Sequence, residues 1–498
     1  MNRRFTRRAL LGGLAGLAAG TVWAGAPVSS LRPRPRSPAL EEWATRSGAE
    51  RLIAQAGPSG QAACAVADVK TGIRLESVAG SDGLPPASVT KALTALYALD
   101  ALGAEHRFHT RLLADGPVEN GILRGDLILD GGGDPTLGTD DLAELAAQLK
   151  QAGIREVRGA FLVHEGALPF VRSIDPEQLP HVGYSPAVSG IALNFNRVHF
   201  EWTRAGSGYA VSMDARSARY RPEVAMARME VRPRDFPVYT YEAEGGVERW
   251  TVARGALGQG GARWLPVRAP ALYAGDVFRT LARTHGVVLK PARAVRALPG
   301  GVTELARHSS GPLREVLRDM LKYSTNLTAE MVGMAATRAR GVMPRDLAQS
   351  AQEMNRWAAT TYGMEGTALV DHSGLGDASR LRADDLVSAL VEVRRSGVLR
   401  PLLKPFDMRD PGGRVIPSHP IRVDAKTGTL NFVSGLGGFM TAADGIELAF
   451  AIFVADMDAR ARAKAQPDEI PRGARAWNRQ AKKLQQALIE RWGALYGS

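Results

Sequence analysis

Apolar positions follow helical spacing towards both ends of the chain and gather into short β-type runs between them. Residues 40–56 carry an amphipathic helix pattern, and 62–69 with 73–78 read as two strands around a Lys70-Thr71-Gly72 turn. The stretch 88–103 is apolar on nearly every face, through Ala92, Leu93, Ala95, Leu96, Leu99 and Leu102, so it is expected as a centrally buried helix. From 109 to 289 the texture changes to short β-type runs at 125–130, 159–163, 199–203 and 226–231, with one helical interval at 139–152. Long helical patterns return at 273–284, 313–338, 345–362 and 383–396. A strand pair is expected at 433–440 and 446–455, and a last helix at 474–496. Nothing repeats at a fixed period, which argues against a solenoid.

Length changes this picture first. A chain of 498 residues exceeds the roughly 250–300 at which single cores stop growing, so two or more domains are expected. One cysteine, Cys64, cannot form an internal disulfide, and in its apolar strand it reads as a core residue. The first residues differ in kind. Arg3, Arg4, Arg7 and Arg8 precede an apolar run that ends in small residues, the layout of a secretory signal cleaved after Ala24. The stretch from Thr6 to Leu11 also resembles a twin-arginine signal, so export by either the general or the twin-arginine route, and a periplasmic location, is expected. Four of the +12 formal charges belong to that segment. The remaining basic excess is spread rather than clustered, which speaks against nucleic acid and suits an anionic polymer outside the cytoplasm.

Candidate chemistry concentrates in three short motifs. Ser88-Val89-Thr90-Lys91 places a hydroxyl and an amine three residues apart, on one face of a helical turn. A serine hydroxyl needs a neighbour to take its proton, and a lysine can do so when burial depresses its pKa. Ser324-Thr325-Asn326 is the second motif, and alone it is a common helix start. Lys426-Thr427-Gly428-Thr429 runs into a strand, where a lysine and hydroxyls suit a ligand carboxylate and glycine permits close backbone approach. Lys70-Thr71-Gly72 repeats three of these letters but reads as a structural turn.

In this order, the three motifs resemble the signature of the active-site-serine penicillin-recognising enzymes. The 236 residues between Ser88 and Ser324 narrow the resemblance to the D-alanyl-D-alanine carboxypeptidase/endopeptidase family, the low-molecular-mass class C penicillin-binding proteins. Gly131-Gly132-Gly133-Asp134-Pro135-Thr136-Leu137, Leu193-Asn194-Phe195-Asn196 and Asp371-His372-Ser373-Gly374-Leu375 look like recurrent segments of that family, with His372 standing where a small residue is usual. The resemblance weakens over about 200–270. It implies an α/β (α+β) fold, a transpeptidase/β-lactamase-like domain whose central antiparallel sheet is flanked by helices and interrupted by a strand-rich insertion. The expected division is a signal peptide at 1–24, a linker at 25–38, catalytic segments at 39–108 and 290–498, and the insertion at 109–289.

The resemblance further implies Ser88 as the acylated nucleophile, Lys91 as its general base and Ser324 as a proton relay to the departing D-alanine. Asn326 would bind the acyl-donor amide, Lys426 would supply a positive field, and Thr427, Gly428 and Thr429 would complete the carboxylate and backbone contacts. The oxyanion hole would use the N–H groups of Ser88 and Thr429. Peptidoglycan stem peptides are the implied substrate and β-lactams the covalent inhibitors, with no cofactor, no metal and no nucleic acid. A retained single-span anchor is the alternative to a cleaved signal, so membrane association is possible but not predicted. Asp134 reads as a turn former. The alternatives are a β-lactamase or esterase of the same superfamily, and a wall-binding scaffold with a vestigial site. The chain has no Gly-x-Ser-x-Gly elbow, phosphate-binding loop or His-Glu-x-x-His metal helix.

Overall fold

The computed structural model describes residues 48–410, 412–466 and 468–497. The expected export signal and linker lie outside the described residues, as does the first half of the helix expected at 40–56. In chain order, α1 (Ala49–Ala56) leads to β1 (Gln61–Asp68), β2 (Arg74–Val78) and, after a 3₁₀ turn at Ala87–Val89, α2 (Thr90–Leu102). The intervening region contains β3 (His109–Asp115), β4 (Asp126–Asp130), α3 (Thr139–Gln151), β5 (Phe161–His164), β6 (Arg197–Ala205) and β7 (Gly208–Asp214). It continues with β8 (Ala227–Arg232), β9 (Tyr239–Glu244), β10 (Val247–Ala253), β11 (Gly260–Pro266), α4 (Pro270–Thr284), β12 (Ala292–Val295) and β13 (Thr303–Ser309). Then follow α5 (Leu313–Tyr323), α6 (Asn326–Ala339), α7 (Leu347–Tyr362), α8 (Ala383–Ser396), β14 (Lys404–Pro405), β15 (Arg422–Leu430), β16 (Val433–Thr441), β17 (Glu447–Ala455), α9 (Met457–Lys464) and α10 (Ala474–Tyr496).

The two ends of the chain share one sheet. Its order is β14-β15-β16-β17-β1-β2, antiparallel throughout, so β1 pairs with a strand nearly 400 residues away. Side-chain alternation explains why its central strands read as unbroken apolar runs. In β1, Ala63, Ala65 and Ala67 face the core beneath α2, α5 and α8, while Cys64 and Val66 face the core beneath α1 and α10. In β17, Ala449, Ala451 and Phe453 face the first core and Leu448, Phe450, Ile452 and Val454 the second. A strand covered on both faces has no position for a polar residue. Helix α2 is buried from Thr90 to Ala98 for the same reason, enclosed between the sheet and the neighbouring helices.

The intervening region has its own core, built around Leu127, Leu129, Phe161, Phe200, Trp250 and Phe278. Its five-stranded sheet runs β12-β5-β4-β3-β13, and two three-stranded sheets run β7-β6-β11 and β8-β10-β9. The boundary expected at 289/290 is corrected by this pairing. β12 joins β5 in parallel and β13 joins β3 antiparallel, so the insertion extends to Ser309. The short, polar-rich sequences of β12 and β13 carry little alternation, so local pattern alone does not assign them to the insertion.

A second correction concerns the helix expected at 313–338. It is two helices, α5 and α6, separated where Ser324 adopts a left-handed conformation at φ 58°, ψ 41°. The strand pair expected at 433–440 and 446–455 is present as β16 and β17, and the Lys-Thr-Gly motif that precedes it lies within a further strand, β15, which spans Arg422–Leu430.

Candidate active site

Three elements converge on Ser88. The 3₁₀ turn brings Ser88 to the mouth of α2, the break between α5 and α6 brings Ser324, and β15 runs alongside. Two non-glycine residues here are left-handed, Ala87 at φ 47° and Ser324 at φ 58°. Such conformations cost of order 1 kcal/mol or more each and persist where surrounding structure imposes them. Here the imposing element is β15. A Cβ on Gly428 would lie 2.6 Å from the Pro86 carbonyl oxygen and 3.0 Å from both Ala87 Cβ and the Ser88 nitrogen. Gly428 is thus required by the chain's own nucleophile turn, in addition to any ligand approach.

Lys91 is fully buried, and its Nζ lies 2.9 Å from Ser88 Oγ, 2.7 Å from Asn326 Oδ1 and 2.7 Å from the Ser373 carbonyl oxygen. Burial lowers its pKa to about 8, against the opposing charges of Asp371 and Glu330. Two of its three oxygen neighbours can only accept hydrogen bonds. A neutral amine must therefore direct its two hydrogens at Asn326 and Ser373, which leaves its lone pair facing the Ser88 hydroxyl. This arrangement suits proton abstraction from Ser88.

Across the cleft, Lys426 is also buried, with Nζ 3.0 Å from Ser324 Oγ and 2.6 Å from the Thr427 carbonyl oxygen. Burial, then the charges of Lys91 and Lys404, push its pKa well below the ordinary lysine value. A cleft of about 360 Å³ opens over the group, lined by Ser88, Ser324, Asn326, Thr429, Tyr184 and Arg460, among others. Thr427 is exposed on β15 and is not among the lining residues; its backbone carbonyl, rather than its hydroxyl, faces Lys426. β14 pairs with β15 only at Lys404↔Ala425 and Pro405↔Asp424, so the outer edge of β15 from Lys426 to Leu430 has no strand partner among the described residues.

Every residue expected at the site on the strength of the motifs falls in this neighbourhood. Others emerge only in three dimensions. Tyr184, from the insertion, lines the cleft and accepts a hydrogen bond from Asn326 Nδ2 at 2.9 Å through its carbonyl, which fixes the amide with Oδ1 towards Lys91. Glu330 and Asp371 lie fully buried behind Lys91. One signal in the sequence could have found Glu330: it stands four residues after Asn326, hence on the same helix face, as a lone acid among Leu327, Ala329, Met331 and Val332.

His372 is turned away from the cleft. It is buried, stacks on Tyr97 at 6.2 Å, and its Nε2 lies 2.7 Å from Ser350 Oγ. Gly333 accommodates the ring, since a Cβ there would lie 2.2 Å from His372 Cγ. Asp134 does form a turn, with Oδ1 accepting from the Thr136 N–H and hydroxyl. The Lys70-Thr71-Gly72 segment is an exposed turn in which Thr71 donates to Asp68.

A cleft-lining serine backed by a buried lysine, a Ser-x-Asn turn and a lysine-bearing strand around one cleft, on an antiparallel sheet clad by helices, define the class of penicillin-recognising serine enzymes. A family model described as the D-Ala-D-Ala carboxypeptidase 3 (S13) family matches residues 49–472. The chain belongs to this family of D-Ala-D-Ala carboxypeptidases and is a serine peptidase. It is 28% identical over 426 residues to the D-alanyl-D-alanine carboxypeptidase of Actinomadura sp. (strain R39), covering 78% of this chain and 76% of the relative. It is 25% identical over 400 residues to the D-alanyl-D-alanine carboxypeptidase DacB of Haemophilus influenzae, covering 75% and 81% respectively. The crystal structure of penicillin binding protein 4 (dacB) from Haemophilus influenzae superposes with a TM-score of 0.72 at 20% identity, covering 89% of this chain and 99% of that one. The same protein complexed with a β-lactam matches with a TM-score of 0.69 at 21% identity and the same coverage.

Proposed function

We propose that Ser88 is the nucleophile with which this carboxypeptidase removes the terminal D-alanine from peptidoglycan stem peptides, with Lys91 as its general base. The observation that carries the reading is the triad of oxygens around Lys91 Nζ, which leaves its lone pair one direction, towards Ser88. Lys91 takes the Ser88 proton while Oγ attacks the carbonyl carbon of the scissile D-alanyl-D-alanine bond. Backbone N–H groups of Ser88 and Thr429 stabilise the oxyanion, where charge appears only in the tetrahedral intermediate. The proton reaches the departing amine through Ser324, the C–N bond breaks, and water hydrolyses the Ser88 ester to release the shortened peptide and regenerate the hydroxyl. Lys426 supplies positive potential for the substrate carboxylate together with the Thr429 hydroxyl, while Thr427 holds the Lys426 ammonium through its backbone carbonyl. Asn326 keeps a second N–H free for the acyl-donor amide.

The unpaired edge of β15 suits an extended peptide laid along it, whose backbone would continue the ladder past Ala425. Endopeptidase action on cross-links uses the same steps with a neighbouring stem peptide's amine as leaving group. β-Lactams acylate Ser88 by the same attack; the Haemophilus protein has been crystallised with one. Export to the periplasm is part of this reading, supported by the arginines and apolar run of the first 26 residues. Among the described residues no helix is long and apolar enough to cross a membrane.

A β-lactamase reading would need a free carboxylate poised to activate water. The acid lining the cleft, Glu469, is instead paired with Arg263 at 2.7 Å and faces His181 at 3.6 Å. Incubation with a labelled penicillin followed by peptide mass spectrometry tests the assignment: an adduct on Ser88, with D-alanine release abolished in Ser88→Ala, is expected. An unlabelled Ser88 in folded protein would overturn it, and rapid nitrocefin turnover would favour the β-lactamase.

A further inference from the structure

Glu330 and Asp371 are buried carboxylates that neither line the cleft nor touch Ser88, yet they organise the backbone that Lys91 leans on. Glu330 Oε2 accepts the His372 N–H at 3.0 Å and Oε1 the Ser373 N–H at 2.9 Å. Asp371 Oδ1 accepts the Gly374 N–H at 2.6 Å and Oδ2 the Gly376 N–H at 2.6 Å. Four carboxylate oxygens thus meet four backbone N–H groups of one six-residue loop, and the carbonyl at its centre, Ser373 O, lies 2.7 Å from Lys91 Nζ. Glu330 and Asn326 stand four apart on α6, so one helix face holds both the loop that carries one acceptor and the side chain that is the other.

We propose that Glu330 and Asp371 are positioning residues for the general base: they clamp residues 371–376 so that the Ser373 carbonyl occupies one hydrogen of Lys91, and thereby aim the amine's lone pair at Ser88. The proposal rests on the assignment of Ser88 and Lys91 made above. The groups facing Lys91 are Ser88 from its own turn, Asn326 and Glu330 from α6, Asp371 from the loop, and Lys426 from β15. His372 faces the other way, towards Tyr97 and Ser350. The two acids consequently also set the proton affinity of Lys91, raising it against burial and against Lys426. Burial lifts the pKa of both carboxyl groups, and the charge of Asp371 adds to the lift on Glu330, to about 8; the N–H donors and Lys91 oppose it, since a proton on any of the four oxygens would displace a hydrogen bond.

The test is the pH profile of the second-order acylation rate with a labelled penicillin, measured for the parent, Glu330→Gln, Glu330→Asp, Asp371→Asn and the neutral packing control Ser350→Ala. Glu330→Gln removes a negative charge beside Lys91 and one acceptor for the loop. Its acid limb is expected to move to lower pH by about one unit, with a plateau lowered about tenfold or more. Asp371→Asn should shift the limb in the same direction. Glu330→Asp keeps the charge but shortens the clamp, so the limb should stay while the plateau falls. Ser350→Ala, which loosens packing around His372 without touching charge, should leave the limb in place. Parental limb and plateau in folded Glu330→Gln and Asp371→Asn would overturn the proposal. If Glu330→Gln does not fold, a parental limb in Asp371→Asn overturns it. A parent that is not labelled on Ser88 would instead refute the underlying assignment.

Discussion

Gly428 runs so close beneath Pro86 that a methyl group on its Cα would sit 2.6 Å from the Pro86 carbonyl oxygen, well inside van der Waals contact. The contact holds the turn in which Ala87 is left-handed and from which Ser88 faces the cleft. Gly428→Ala must push β15 and the nucleophile turn apart. Overpacking of this kind destabilises by about 1–3 kcal/mol. Because the displaced backbone carries both proposed oxyanion donors, acylation is expected to fall about tenfold or more, beyond what lost stability explains. Thermal unfolding and penicillin labelling on the same preparation separate the two effects, and unchanged labelling would remove Gly428 from this role.

Lys91 must be neutral to accept the Ser88 proton, and burial lowers its folded pKa to about 8. The deprotonated fraction therefore grows as pH rises, so kcat/KM for acylation is expected to climb through about pH 8 and level off above it. Lys91→Met should lose the acid limb along with about 10²–10⁴-fold in rate, the usual contribution of a positioned base. A profile already flat from pH 6 upwards would place the proton on some other acceptor.

The extent to which the sequence disclosed this arrangement follows its physics. Ser88, Lys91, Ser324, Asn326 and Lys426 stand in short motifs whose residue types are improbable together without shared chemistry. The sheet was legible at β16 and β17, because strands covered on both faces must be apolar throughout. The break at Ser324 was not, since Leu313, Val316, Leu317, Met320 and Leu321 before it and Leu327, Met331 and Val332 after it keep helical spacing across the gap. What breaks the helix is tertiary: Lys426 holds the Ser324 hydroxyl from a strand 102 residues away. β12 and β13 escaped detection as parts of the insertion because pairing with β5 and β3 is decided across the fold rather than by local pattern. Tyr184 acts through its backbone carbonyl, which leaves no signature in residue type, whereas Glu330 and Asp371 bind backbone N–H groups of a loop whose place behind Lys91 is set only by the fold.

His372 links the loop behind Lys91 to acid stability. Burial lowers its pKa to about 3, against an ordinary value of 6.5. The folded state therefore binds fewer protons than the unfolded state between these values, and stability falls as pH drops through that window. From pH 7 to pH 5 the loss from this residue alone is about 2 kcal/mol. His372→Gln, which keeps a hydrogen-bonding group for Ser350 but does not titrate, should flatten the decline. Denaturant unfolding of both proteins at the two pH values measures the difference, and equal acid sensitivity would assign the effect elsewhere.

Asp377 joins the catalytic domain to the insertion at the rim of the cleft. It pairs with Arg460, whose side chain is only 5% exposed, and with Lys464, which also pairs with Glu177 of the insertion. Arg460 Nη1 donates to the Asn431 carbonyl at 2.9 Å, directly beyond the end of β15, and Arg460 lines the cleft. Asp377→Asn leaves that guanidinium buried without the negative charge that both its Nε and Nη2 meet at Asp377 Oδ1, an expected loss of about 1–3 kcal/mol. Ser88, Lys91 and the oxyanion donors are untouched by the change, so the chemical step should keep its rate once substrate is bound. The kinetic consequence should fall on KM, raised about three- to tenfold with kcat near the parent's, because the wall that receives the substrate is displaced while the reacting groups are not. Steady-state hydrolysis of a D-alanyl-D-alanine peptide distinguishes the outcomes: a lowered kcat at constant KM would place Asp377 within the machinery of bond cleavage instead of at its entrance.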